Sequence, residues 1–318
     1  MIKKFPNLYK SLTYKKMKKF NFKSKKLLTT ALFITSGLTI LSHSNPVKAS
    51  ACPDASSVTS PNGRGDATSF IALSEGSCYE TPEEYGVTIY KMGLCTSNPA
   101  PSSAGSAPDT STCSFNFVKD DGVGEDASFA AGGEVDLSAA YSSRPDVGEY
   151  EFAYIEIKNS FDIKAKYGPL GDSANTTYFT NGTFGEAGSV TGSSTIPTAS
   201  DGYATTTAPL NTFFGDGGAA ICAATAEESV TGGTIRAYLL DSSNKLIADD
   251  SAVTECSGVK KLLGIMQLDT KVKITESTTS VKSTFKVTDN GTTVIYDDSA
   301  DGILFDSGPF SVSFETSE

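Results

Sequence analysis

Four aspartates near the carboxy terminus, Asp297, Asp298, Asp301 and Asp306, have the types and spacing best suited to a chemistry. In Asp297-Asp298-Ser299-Ala300-Asp301-Gly302, oxygen side chains cluster ahead of a glycine, a donor set that can wrap a hard cation such as calcium. A helix–loop–helix calcium loop ends on a glutamate where this chain has Gly308, so any cage here is irregular. The competing reading is a solvated turn between two strands. Asp120, Asp121, Glu125 and Asp126 make a second, less ordered acidic loop. Calcium is the one cofactor these residues suggest.

Other chemistries lack their residue types. The only histidine, His43, lies in a leader-like segment, and the chain has no tryptophan. Without an imidazole there is no Ser-His-Asp or Cys-His pair. Carboxylate pairs such as Glu149 with Glu151 occur, but among 37 acidic residues they arise by chance and read as outward charges on a strand. The sequence is therefore read as that of a non-enzyme.

The six cysteines, Cys52, Cys78, Cys95, Cys113, Cys222 and Cys256, are an even set that predicts three disulfides. The last two stand apart and pair with each other. The first four allow three pairings, of which Cys52–Cys78 with Cys95–Cys113 closes the shortest loops.

Residues 1–49 hold eleven lysines and no acid, with an apolar run at Leu27–Leu41 and small residues at Val47-Lys48-Ala49. This is the pattern of a cleaved signal peptide, with Met17 as an alternative start. The run is short of the roughly 20 residues a spanning helix needs, so no transmembrane segment is expected after cleavage. Lipidation at Cys52 is disfavoured, because ten residues separate it from the apolar run and an odd cysteine would be left. Cleavage removes eleven of the 26 basic residues and leaves 15 against 37 acidic ones, a net charge of −22. Such a surface repels nucleic acid, which needs clustered Lys and Arg.

The elements that must carry these residues are strands. In GEYEFAYIEIKNSFDIKAKY (Gly148–Tyr167), Tyr150, Phe152 and Tyr154 alternate with Glu149, Glu151 and Ala153, and from Ile155 onward the apolar positions change phase. A β-bulge near Tyr154–Ile155, or a strand crossing between sheets, accounts for the change, and Asn159–Ser160 is a possible hairpin break. Thr81-Pro82-Glu83-Glu84 predicts one helical turn ahead of a strand over Val87–Cys95. Leu262–Thr275 and Val281–Val287 alternate, and Asp289-Asn290-Gly291 predicts a hairpin into Val294–Tyr296. No amphipathic helix of ordinary length is present. The expected fold is all-β, as disulfide-stapled antiparallel β-sandwiches: residues 50–167, a Gly/Ser/Thr-rich region over 168–211, and residues 212–318.

These features point to a secreted or extracytoplasmic protein, structural or adhesive, with self-assembly or a surface glycan or protein as its partner. The alternative is a glycan or small-ligand binding module that uses Tyr150, Tyr154, Tyr178 and Tyr203. A carboxylate hydrolase ranks third. Arg64-Gly65-Asp66 and the glycosylation patterns at Asn175, Asn181 and Asn290 are too short to carry an assignment.

Overall fold

The computed structural model describes residues 51–58, 77–130, 142–171, 175–185, 187–190, 202–213, 222–297 and 302–318. The amino-terminal residues 1–49 read as a signal peptide, Arg64-Gly65-Asp66, Asp298 and Asp301 lie outside these residues. Within them the helical content is a single 3-10 turn, Ala55–Ser57.

The strands in chain order are β1 (Ser77–Glu80), β2 (Glu84–Cys95), β3 (Cys113–Val118), β4 (Glu125–Ala130), β5 (Gly148–Lys164), β6 (Lys166–Tyr167), β7 (Thr177–Thr180) and β8 (Ala187–Val190). They continue with β9 (Thr206–Pro209), β10 (Thr225–Val230), β11 (Gly233–Leu240), β12 (Lys261–Ile274), β13 (Ser280–Lys286), β14 (Thr292–Asp297), β15 (Gly302–Ser307) and β16 (Ser311–Ser317). All pairings between these strands are antiparallel.

The long runs β2 and β5 are central because both of their edges find partners. The main sheet runs β10-β11-β12-β5-β2-β3, with β4 added beside the first half of β2 and β9 beside the second half of β5. It draws β2–β5 from the 50–167 segment and β10–β12 from the 212–318 segment. Smaller sheets, β1-β14-β15, β13-β16 and β6-β7-β8, complete the fold. Tyr85, Phe129, Phe161, Phe285 and Phe310 interlock with ring centroids 5.3 to 6.5 Å apart and join β2, β4 and β5 to β13 and the approach to β16. Val294, Ile303 and Phe305 of the β14–β15 hairpin enter the same core.

The phase change in β5 has a different cause from the one expected. The ladder is unbroken from Phe152 to Lys158 against β12 and from Phe152 to Glu156 against β2, so no extra residue sits at Tyr154–Ile155. Ala153–Ile157 is instead buried on both faces. Ala153 and Ile155 lie under Val312 and Phe314, while on the other face the Tyr154 ring meets Phe115 edge-on at 5.4 Å. A strand covered on both sides loses its alternation. The real irregularities are at Glu151, opposite Leu268–Lys271 of β12, and at Lys158–Ser160, opposite Thr88 of β2. Asn159–Ser160 is therefore a bulge within one continuous strand, not a hairpin.

Two local expectations also give way to long-range bonds. Thr81–Glu84 is not helical: the Glu83 N–H donates to the Lys164 carbonyl at 2.7 Å, and Glu84 already begins β2. Asp289-Asn290-Gly291 does turn, with Asp289 and Gly291 at φ 55° and 80°, but it links two sheets. Its strand β13 pairs with β16, because Gly291 exchanges backbone bonds with Gly308 and Pro309 and is held against the β15–β16 connection.

The cysteines form Cys52–Cys78, Cys95–Cys113 and Cys222–Cys256. Cys95 and Cys113 stand directly opposite each other on β2 and β3, so their bridge closes the Pro99–Thr112 loop at its base.

Candidate functional site

A groove of about 440 Å³ lies on the polar face of β4, β2, β5 and β9. Strand alternation builds it. Tyr85, Val87 and Ile89 of β2, Ala127 and Phe129 of β4, Phe161 and Ile163 of β5, and Thr206 and Ala208 of β9 all point into the core. Their neighbours necessarily face outward, and register aligns them: Ser128, Gly86, Asp162 and Thr207 are paired in one row across four strands. Asp126 and Thr88 form an adjacent pair on the same face.

Gly86 lowers the floor of this row. A Cβ there would lie 3.1 Å from the Asp162 Cβ and 3.6 Å from its Oδ2, so the Asp162 side chain leans over the position. The Thr88 hydroxyl donates to Asp126 Oδ1 at 2.7 Å, and the Thr207 hydroxyl donates to Asp162 Oδ1 at 2.6 Å. Each carboxylate is thereby oriented by a threonine. The β5 bulge carries Lys158 and Ser160 to the wall, and Thr205 adds a further hydroxyl. At the rim, Glu84 pairs with Lys164 at 3.3 Å.

A second polar constellation is buried. Glu156, only 3% exposed, lies between Ile155 and Ile157 on β5. Its Oε1 is 2.5 Å from the Lys261 ammonium, and its Oε2 accepts from the Tyr154 hydroxyl at 3.0 Å. Lys261 also reaches Asp120 at 3.3 Å and stands 4.9 Å from the centre of the Tyr90 ring. Burial by itself would lower the Lys261 pKa, but Glu156 and then Asp120 outweigh it and hold the ammonium above its ordinary value. Burial, reinforced by Glu156, pushes the Tyr154 phenol well up. With both carboxylate oxygens engaged, the cluster ties β5 to β12 and to the loop before β4.

The aspartates singled out from the sequence do not all meet. Asp306 lies on β15 opposite Thr293, four residues from Gly302, the partner of Asp297, and thus ~13 Å along the strand. Asp298 and Asp301 lie outside the described residues, among which no group of three or more His, Cys, Asp or Glu is arranged to hold a metal. Asp120, Asp121, Glu125 and Asp126 are spread over separate tasks: a bond to Lys261, a turn closed on Val123 and Gly124, a pairing with Lys119, and the groove. Of the tyrosines expected to read a ligand, Tyr150, Tyr154 and Tyr203 are buried.

Asp306 carries a testable property of its own. Loss of water raises its carboxyl from 3.8 to about 6, against the lowering effect of the Ser307 N–H and hydroxyl. Because the folded state holds this proton more tightly, the stabilisation is complete below pH ~4 and is lost as pH rises through 6. At neutral pH the charged carboxylate costs roughly 3 kcal/mol. Asp306→Asn, which keeps the acceptor for Ser307, is expected to raise Tm by several degrees at pH 7 and to leave it unchanged near pH 4. Equal shifts at the two pH values would show that burial does not govern this group.

No known protein family, curated protein or solved structure matches the chain. No helix among the described residues is long and apolar enough to cross a membrane.

Proposed function

We propose that the chain is an exported structural or adhesive protein that acts at the cell surface or in the extracellular space. The observation that supports this most directly is the pairing of all six cysteines in three disulfides, a state that persists in oxidising compartments. The lysine-rich, apolar leader and the acidic remainder of the chain agree with it. A hydrolase is not proposed, because in the buried cluster of Glu156, Lys261 and Tyr154 both carboxylate oxygens are already engaged.

Fractionation of the producing cells, with thiols blocked before lysis, tests this reading. The protein is expected outside the cytoplasm and refractory to alkylation until it is reduced. Recovery from the cytoplasm with reactive thiols would reject the proposal. Negative-stain microscopy of the purified protein then separates its two forms, since a structural subunit assembles into filaments or sheets and an adhesin stays dispersed.

A further inference from the structure

We propose that the groove across β4, β2, β5 and β9 binds a neutral, polyhydroxylated sugar chain. This rests on the adhesive reading and names its ligand. The groove's volume of about 440 Å³ lies within the range of small-ligand sites. What lines it is a set of hydrogen-bonding groups on a rigid sheet: Asp126, Asp162, Ser128, Ser160, Thr205 and Thr207. A carboxylate accepts bonds from two neighbouring hydroxyls at once, and such charge-assisted bonds are stronger than neutral ones. Here each carboxylate is held by a threonine through one oxygen, which sets the direction of the other before any ligand arrives. Gly86 supplies the depression beneath them, where any side chain would press on Asp162.

The chemistry of the ligand follows from what surrounds these groups. Acidic sugars are repelled by Asp126 and Asp162 and by the net charge of −22 outside the leader. Cationic chains would be drawn to acidic loops all over this surface, so the groove would add little selectivity for them. A neutral sugar complements the groove alone, offering hydroxyl donors to its carboxylates and acceptors to Lys158 and the Ser and Thr hydroxyls. With no aromatic ring among the lining residues, binding depends on hydrogen bonds and is weak for a single site. Many copies on a surface would raise it by avidity, which suits adhesion.

The test uses the mature, oxidised protein displayed as a streptavidin tetramer on an array of neutral, amino and acidic glycans, with and without chelator. Retention on a subset of neutral glycans is expected, unaffected by chelator. Asp126→Asn with Asp162→Asn should lower it at least tenfold, as should Gly86→Val, while Glu227→Gln on the distant strand β10 should not. Melting curves of each variant confirm that the fold persists. A blank array, binding that survives the double substitution, binding restricted to amino glycans, or binding abolished by chelator would each overturn the proposal. Failure here is separable from failure of the adhesive reading: an exported, oxidised protein with a blank array rejects the groove alone, whereas a cytoplasmic, reduced one rejects the setting.

Discussion

Lys261→Met is expected to destabilise the protein by about 3–5 kcal/mol, because it leaves the Glu156 carboxylate buried without its counter-ion. The geometry makes the loss large. Glu156 is 3% exposed, and its nearest cation is the Lys261 ammonium at 2.5 Å. Asp120, the third member, is itself an anion at the more exposed end of the triad, so it cannot replace the lost ammonium. The paired substitution Glu156→Leu with Lys261→Met should recover most of the loss, since a well-packed apolar pair often equals or exceeds a buried ion pair. Urea unfolding of the two single variants and the double variant measures the coupling. A cost below 1 kcal/mol for Lys261→Met would mean that water reaches Glu156 and screens it. The surface pair of Lys271 with Glu151 is the contrast: both groups are about half exposed, and breaking their pair should leave the unfolding midpoint almost unchanged.

Removing the Cys222–Cys256 bridge by a double substitution to Ala should cost about 4 kcal/mol, against about 3 for Cys95–Cys113, from loop-closure entropy alone. The order follows from the sequence separations of 34 and 18. Cys222 also lies where the chain enters β10, with its backbone bonded to Asp250 and Val253. Hydrogen exchange should accordingly speed up first in β10, an end strand of the main sheet, before β12 is affected. If the shorter bridge proves the more costly to remove, native-state packing around Cys95 and Cys113 outweighs chain entropy.

Much of this architecture was legible in the residues themselves. The alternation of Val87 and Ile89, or of Ile155, Ile157, Phe161 and Ile163, reads as strand from the sequence, whereas Tyr85 joins the first of these only in the structure. The even cysteine count in an acidic chain with a lysine-rich, partly apolar amino-terminal stretch implied bridges, and the short-loop pairings are those that form. These are local properties. A strand's two faces and a short covalent loop are set by residues close together in the chain.

Partnership between strands was not legible, because it depends on contacts across long separations. Asp289-Asn290-Gly291 has the composition of a hairpin and makes a turn, yet β13 pairs with β16 because Gly291 is bonded to Gly308 and Pro309. Glu156 follows the pattern of an outward charge, and only the arrival of Lys261, 105 residues later, makes its burial tolerable. The groove is the extreme case. Its row of Ser128, Gly86, Asp162 and Thr207 comes from four separate strands and exists only once their registers are set. Alternation in the sequence placed only Asp162 on the outward side of a strand; Ser128, Gly86 and Thr207 lie in stretches that carry no strand signal of their own. That they would face the same space was decided by register, which the packing of Tyr85, Phe129 and Phe161 beneath them fixes, since a slip of one residue would bury Asp162 and expose Phe161.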